Sequence, residues 1–206
     1  MAVSDEFADK AQQIIEAGRF LNQRGWVPAT SSNFSMRLSD GSVAVTVSGY
    51  HKGALSAEAV MRVDGEGNSL DGRRPSAETL LHTSLYNRFA DVGAVLHTHS
   101  VNATVLSRLS EGELVFEDYE LQKAFSGVTT HEGRHIVPIF ANDQDIQRLA
   151  AEVERYMDDH APIHGYLIEG HGLYTWGRDM AEALRHIEAY EFLFECELTM
   201  LRVKRP

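Results

Sequence analysis

The sequence predicts an α/β fold in which a mainly antiparallel or mixed sheet carries helices on both faces. Three observations predict it. Long helical patterns stand at both ends of the chain, short apolar strand patterns fill the middle, and the two mix without the strict strand–helix–strand rhythm of a parallel sheet. The 206 residues suffice for a large core, and no repeat, low-complexity stretch or Pro/Gly-rich linker divides them, so one domain over residues 1–206 is expected.

The elements follow in order. Residues 6–24 set Phe7, Ala11, Ile14, Ile15, Phe20 and Leu21 at helical spacing, with Gly25 as a stop. Phe34-Ser-Met-Arg-Leu38 and Val43-Ala-Val-Thr-Val47 flank Ser39-Asp-Gly-Ser42, which reads as a β-hairpin with a glycine turn. A helix is expected over 76–90 behind Pro75, a buried strand over 92–97, a short helix over 101–109 and another over 119–126. Residues 134–140 read as a strand, and 143–158 as an amphipathic helix with an acidic first turn. Two strands, 163–168 and 173–176, enclose a turn, and a last helix runs over 179–202.

Composition excludes some functions. Hydrophobic residues make up 43% and charged residues 24%, as in an ordinary globular protein. A formal net charge of −11 disfavours a nucleic-acid partner, and it means that any phosphate ligand must find its donors in a local nest. The single cysteine, Cys196, allows neither an internal disulfide nor a cysteine-rich zinc site and fits a reducing compartment. The first residues show no basic-then-apolar leader, and no run of about 18 apolar residues suggests a membrane span, so a cytoplasmic protein is expected.

The chemistry begins at Val95-Leu-His-Thr-His-Ser100. Residues two apart on a strand share a face, so His97 and His99 aim at one point. His171 stands between two glycines in Glu169-Gly-His-Gly-Leu-Tyr-Thr-Trp-Gly177. Three imidazoles with an open fourth position describe a catalytic metal site better than a structural one; zinc is the default ion, with iron(II), manganese, cobalt and nickel open on ligand type. Three small polar clusters, Thr30-Ser-Ser-Asn33, Thr46-Val-Ser-Gly49 and Pro75-Ser-Ala77, offer hydroxyl, amide and N–H donors. Together with a helix N-terminus near Ser76 they form a candidate phosphate cradle, although each alone also reads as turn and cap chemistry. Lys52 supplies a candidate point charge for phosphate. Glu78 and Glu120 are candidate acids, each equally explicable as a surface carboxylate. His131, His135, His164 and His186 read as structural or surface residues, while His51 and His82 stay ambiguous beside the cradle. Trp26, Tyr190, Phe192 and Phe194 read as core or subunit-interface aromatics.

Taken in order, Thr-Ser-Ser-Asn-Phe-Ser, Ser-Gly, Pro-Ser-Ala-Glu, His-Thr-His-Ser and His-Gly-x-x-x-Trp-Gly resemble the class II aldolase/adducin family over nearly the whole chain. The resemblance implies a three-layer α/β/α fold around a mainly antiparallel sheet, a divalent metal on His97, His99 and His171, and commonly a tetramer. It puts Asn33, Ser48, Gly49, Ser76 and Ala77 on the phosphate-binding positions. Finer stretches, Arg74-Pro-Ser-Ala-Glu-Thr-Leu-Leu-His82, Tyr119-Glu-Leu-Gln-Lys-Ala124, Thr130-His-Glu132 and Val137-Pro-Ile-Phe-Ala-Asn-Asp-Gln-Asp-Ile146, are similar to a dehydratase branch of the family. That branch removes water from a methylthio-substituted ketose phosphate in methionine salvage. It assigns the acid/base role to the glutamate matching Glu120, whereas the aldolases use the acid at Glu78. Animal members of the branch carry Gln-Cys where this chain has Glu78-Thr79, so the division of labour between the two acids stays open. Glu120 is expected to take the C3 proton, with Glu78 or the protonated Glu120 assisting loss of the C4 hydroxyl. A sugar-phosphate aldolase and a pentulose-phosphate epimerase are the alternatives within the family, and a metal-free interaction module is a more distant one.

Overall fold

The computed structural model describes residues 3–204. In chain order the elements are α1 (Val3–Gln23), β1 (Asn33–Arg37), β2 (Val43–Thr46), β3 (Val60–Val63), α2 (Thr79–Arg88), β4 (Ala94–Thr98), α3 (Val101–Leu109), β5 (Glu113–Phe116), β6 (His135–Phe140), α4 (Ile146–Asp159), β7 (Gly165–Ile168), β8 (Gly172–Gly177) and α5 (Met180–Lys204). The strands form one sheet in the order β3-β2-β1-β4-β8-β7-β6-β5. Every neighbouring pair is antiparallel except β6–β7, where Ile139 pairs with Leu167 in parallel. This is the mixed, mainly antiparallel sheet that the sequence predicts.

Helices cover both faces. On one, residues of α1, α3 and α5 such as Ile14, Leu106 and Ile187 cluster with Phe34, Met36, Leu96 and Leu173. On the other, Leu81, Leu85, Leu149 and Val153 of α2 and α4 cluster with Val45, Val95, Tyr166, Tyr174 and Trp176. Successive strand residues therefore feed opposite layers, as the period of two requires. Burial on both faces leaves β4 and β8 without exposed residues, and this is why they read as near-continuous apolar runs.

The structure departs from expectation at several ends. The helix expected over 76–90 begins at Thr79, with Ser76 in a preceding turn closed by Thr79 N–H to the Ser76 carbonyl at 3.1 Å. Residues 119–126 yield only a short 3₁₀ turn, Glu120–Ala124. The acidic first turn of α4 lies outside the helix: Asp145 is its N-cap, accepting from Arg148 N–H at 3.1 Å, and Asp143 stands before it. Two strands, β3 and β5, were not expected; they are the two edges of the sheet.

Candidate metal centre

The middle of the sheet positions the three histidines. β4 lies between β1 and β8, and its register pairs His97 with Asn33 on one side and Tyr174 on the other. His97 is fully buried and stacks on the Tyr174 ring at 4.0 Å. His99 stands just past the strand, its N–H bonded to the Trp26 carbonyl at 2.9 Å. Ser100 then caps α3 by accepting from Ala103 N–H at 3.0 Å. His171 sits in the β7–β8 turn, where Gly170 has a φ of +63°, a region that favours glycine. α3 pins this turn: Gly170 N–H donates to Ser107 Oγ at 3.0 Å, and Thr104 Oγ1 donates to the His171 carbonyl at 3.1 Å.

The three rings converge. One ligand nitrogen from each of His97, His99 and His171 lies within 4.8 Å of the others. His97 Nε2 and His171 Nε2 are 3.3 Å apart. Two nitrogens on a tetrahedral ion at about 2.0–2.1 Å stand roughly 3.3–3.4 Å apart, so this pair already has ligand spacing. His97 Nδ1 lies 2.9 Å from the Leu173 carbonyl and donates to it, which leaves Nε2 free as a ligand. Burial, then the neighbouring His99 and His171, hold His97 well below the usual imidazole range. Burial brings His99 down to about 4. Neutral imidazoles are the form that binds a metal, so the donor set fits a divalent ion.

Glu78, the N-cap residue of α2, closes the fourth side. Its carboxylate lies 3.1 Å from His171 Nε2 and 3.6 Å from His97 Nε2. Asn33 Nδ2 donates to Glu78 Oε2 at 2.7 Å and approaches Ser76 Oγ at 3.3 Å. A cavity of about 250 Å³ opens in front of this group, lined by residues of all three polar clusters, including Asn33, Ser48, Gly49 and Ser76, with Lys52, Glu78, His99 and His171. Ala29 and Ser32 hold φ of +55° and +73° in the loop that lines it. Such backbone costs of order 1–3 kcal/mol per residue and is kept where a site demands it. Lys52 is fully buried; its Nζ donates to the Tyr50 carbonyl at 2.7 Å and the Thr30 carbonyl at 3.2 Å, and desolvation lowers its pKa to about 8. The ammonium thus ties two cradle loops together at the edge of the cavity.

Not every sequence candidate arrives. Ala77 lies between two lining residues without lining the cavity, and the helix N-terminus expected at Ser76 is displaced to Thr79. Glu120 is elsewhere. Its side chain is 74% exposed, bonded to Lys123 Nζ at 2.7 Å and 3.6 Å from His131, and it lines no part of this cavity. The Lys123 ammonium lowers its pKa. Sequence reasoning gave His82 no firm role and passed over Ser35 and Tyr86, which lie behind Glu78 in a buried polar network. A signal existed: Glu78, His82 and Tyr86 stand four apart, on one helical face.

Comparison with known proteins identifies the family. The sequence profile of the Class II Aldolase and Adducin N-terminal domain matches residues 12–198. The chain is 58% identical over 200 residues to the methylthioribulose-1-phosphate dehydratase of Methylococcus capsulatus, covering 97% of this chain and 98% of that one. It is 66% identical over 193 residues to the protein of the same name from Pseudomonas syringae pv. syringae, covering 93% and 95%. Among solved structures, L-fuculose-1-phosphate aldolase from Thermus thermophilus superposes with a TM-score of 0.77 at 25% identity, covering 97% of this chain and 98% of that one.

Proposed function

The chain belongs to the class II aldolase and adducin family, and from that premise we propose that it is a metal-dependent hydro-lyase of methionine salvage. Its reaction is the loss of water from 5-methylthioribulose 1-phosphate to give 2,3-diketo-5-methylthiopentyl 1-phosphate, the substrate named in its relatives of 58% and 66% identity. One observation carries the chemistry: a glutamate carboxylate stands 3.1 Å from a histidine of the triad, at the wall of a hydroxyl-lined cavity that also holds a buried lysine. His97, His99 and His171 would hold the metal, for which we propose zinc. When bound, such an ion supplies Lewis-acid stabilisation to a carbonyl oxygen and so acidifies the adjacent C–H, an effect worth several kcal/mol.

The chain supplies the rest. Ser48, Gly49 and Ser76 offer the phosphate their hydroxyls and backbone N–H groups, and Lys52 is the one lysine or arginine among the residues lining the cavity. Asn33 contributes through the cavity wall, because its side-chain amide is already engaged by Glu78 and Ser76. Dehydration removes the proton from C3 and hydroxide from C4; the resulting enol becomes the diketone by moving one proton. A carboxylate must take the C3 proton, and an acid must protonate the departing hydroxyl. Glu78 is in place for one of these tasks. We assign the C3 proton to Glu120, and its exposed position requires that a second copy of the chain present it. The proposed assembly is accordingly a homotetramer whose cavities are completed by neighbours. We place the enzyme in the cytoplasm, in keeping with a free thiol at Cys196; no helix among the described residues is long and apolar enough to cross a membrane.

The test is a product assay on purified, zinc-loaded protein with 5-methylthioribulose 1-phosphate. The diketone phosphate without aldehyde is expected. An aldehyde with a phosphorylated three-carbon fragment would make the enzyme an aldolase, and recovery of a stereoisomer of the substrate would make it an epimerase.

A further inference from the structure

Behind Glu78 a line of polar side chains runs away from the cavity into the layer between α2 and the sheet. Asn33 Nδ2 donates to Glu78 Oε2 at 2.7 Å. The other end of the same amide, Oδ1, meets His82 Nε2 in a short contact. His82 Nδ1 lies 2.7 Å from Ser35 Oγ, which lies 2.8 Å from the Tyr86 hydroxyl. His82 and Ser35 are fully buried. No group in the line touches the phosphate cradle except Asn33.

The direction of these bonds is not free. An amide turned the other way would set Asn33 Oδ1 against the Glu78 carboxylate, oxygen against oxygen, at a hydrogen-bonding distance. With Nδ2 facing Glu78, Oδ1 must accept, so His82 Nε2 carries the proton. His82 Nδ1 must then accept from Ser35, and Ser35 Oγ accepts from Tyr86 O–H. Burial holds His82 down to about 3, so near neutrality it keeps one donor and one acceptor. A reversed line satisfies His82, Ser35 and Tyr86 equally well but presents an acceptor to the carboxylate.

We propose that His82 is a positioning residue for the dehydration: as the Nε2–H tautomer it fixes the Asn33 amide so that a donor, and not an acceptor, holds Glu78 at the metal centre. The inference rests on the reading of Glu78 as an acid/base of that centre. His82 touches neither substrate nor ion and acts through Asn33.

Two variants and one spectrum test it. His82→Phe keeps a planar ring and removes the donor, while His82→Gln returns an N–H near the Nε2 position. In the zinc-loaded enzyme, His82→Phe should lower kcat roughly 10–100-fold with KM and bound zinc within about twofold, the range of lost outer-sphere partners. His82→Gln should recover most of the loss. Selective ¹⁵N-histidine labelling of the wild-type enzyme should show His82 as the Nε2–H tautomer, a readout that needs neither turnover nor a folded variant. An Nδ1–H tautomer overturns the proposal, as does equal loss in both variants or unchanged kcat in His82→Phe. Failure of the underlying reading is separate: it would appear as normal turnover in Glu78→Gln.

Discussion

Replacing Gly172 by alanine is the sharpest probe of how the sheet holds the proposed metal ligands. A Cβ built on Gly172 lies 2.0 Å from the Thr98 carbonyl oxygen and 3.2 Å from His97 Cε1. The obstacle is backbone of the adjacent strand, so no rotamer relieves it. Carbon–oxygen contact needs at least about 3.2 Å, so β8 and β4 must part by roughly 1.2 Å at this point, from a normal spacing near 4.8 Å. Ladder bonds near 2.9 Å then stretch beyond hydrogen-bonding range. Two lost bonds at about 1 kcal/mol each, with about 1–3 kcal/mol of overpacking strain, give a loss of about 3–5 kcal/mol. In a chain of this length that lowers Tm by about 10 °C. His97 and His171 flank the same point, and metal sites tolerate only about 0.2 Å of error, so affinity for zinc should fall roughly 100-fold or more. The assay is thermal unfolding of the metal-free protein, followed by zinc titration against a competing chromophoric chelator. Gly170→Ala is the control: its cost is a φ of +63°, about 1–2 kcal/mol, and its Cβ meets only the flexible Arg108 side chain at 3.4 Å. If Gly172→Ala keeps both Tm and zinc affinity, the strand contact does not position the ligands.

Other outcomes follow from the same geometry. His97→Ala should remove zinc and turnover together, measured by metal content and product formation; an active, metal-free variant would end the metal assignment. Glu120→Gln and His97→Ala should each be inactive alone, yet random mixtures of the two in the proposed tetramer should regain about a quarter of wild-type activity, because one site in four then pairs an intact triad with an intact neighbouring Glu120. No recovery after subunit exchange would return the base role to a group of the same chain. Glu191 is 2% exposed, and desolvation raises its pKa to about 7 from 4.5. The stability it allows is complete below pH 4.5 and is lost as pH rises through about 7, up to about 3 kcal/mol. Glu191→Gln should therefore raise Tm at pH 8 and leave it nearly unchanged at pH 4.5; a gain independent of pH would refute the desolvation account.

Much of the fold and of the triad was legible in local pattern. A period of 3.6 marked α1 and α5, apolar runs marked β4, β7 and β8, and the His-x-His spacing with a glycine-flanked third histidine marked the donors. What escaped depends on distant residues. β3 has four residues, and it is a strand because β2 offers it partners from Val43↔Val63 to Thr46↔Val60. The 3₁₀ turn at Glu120–Ala124 carries helical spacing, but Leu121 remains at the surface, and only Gln122 of the turn is buried. His82 looked like one more ambiguous histidine, because its partners Asn33 and Ser35 lie 49 and 47 residues away.

Register is what joins these parts. Asn33, His97 and Tyr174 stand side by side on β1, β4 and β8, three strands from distant parts of the sequence. All three project to the α2 side, where Glu78 and His82 meet them. A one-residue slip of β1 against β4 would turn Asn33 toward α1 and α5, strand His82 without its acceptor, and leave the Glu78 carboxylate without its donor. The apolar alternation of Phe34 and Met36 into the opposite layer, where they pack with Leu96, forbids that slip, because it would expel both from their core. The packing that makes the sheet stable is therefore also what aligns the proposed acid with the three histidines.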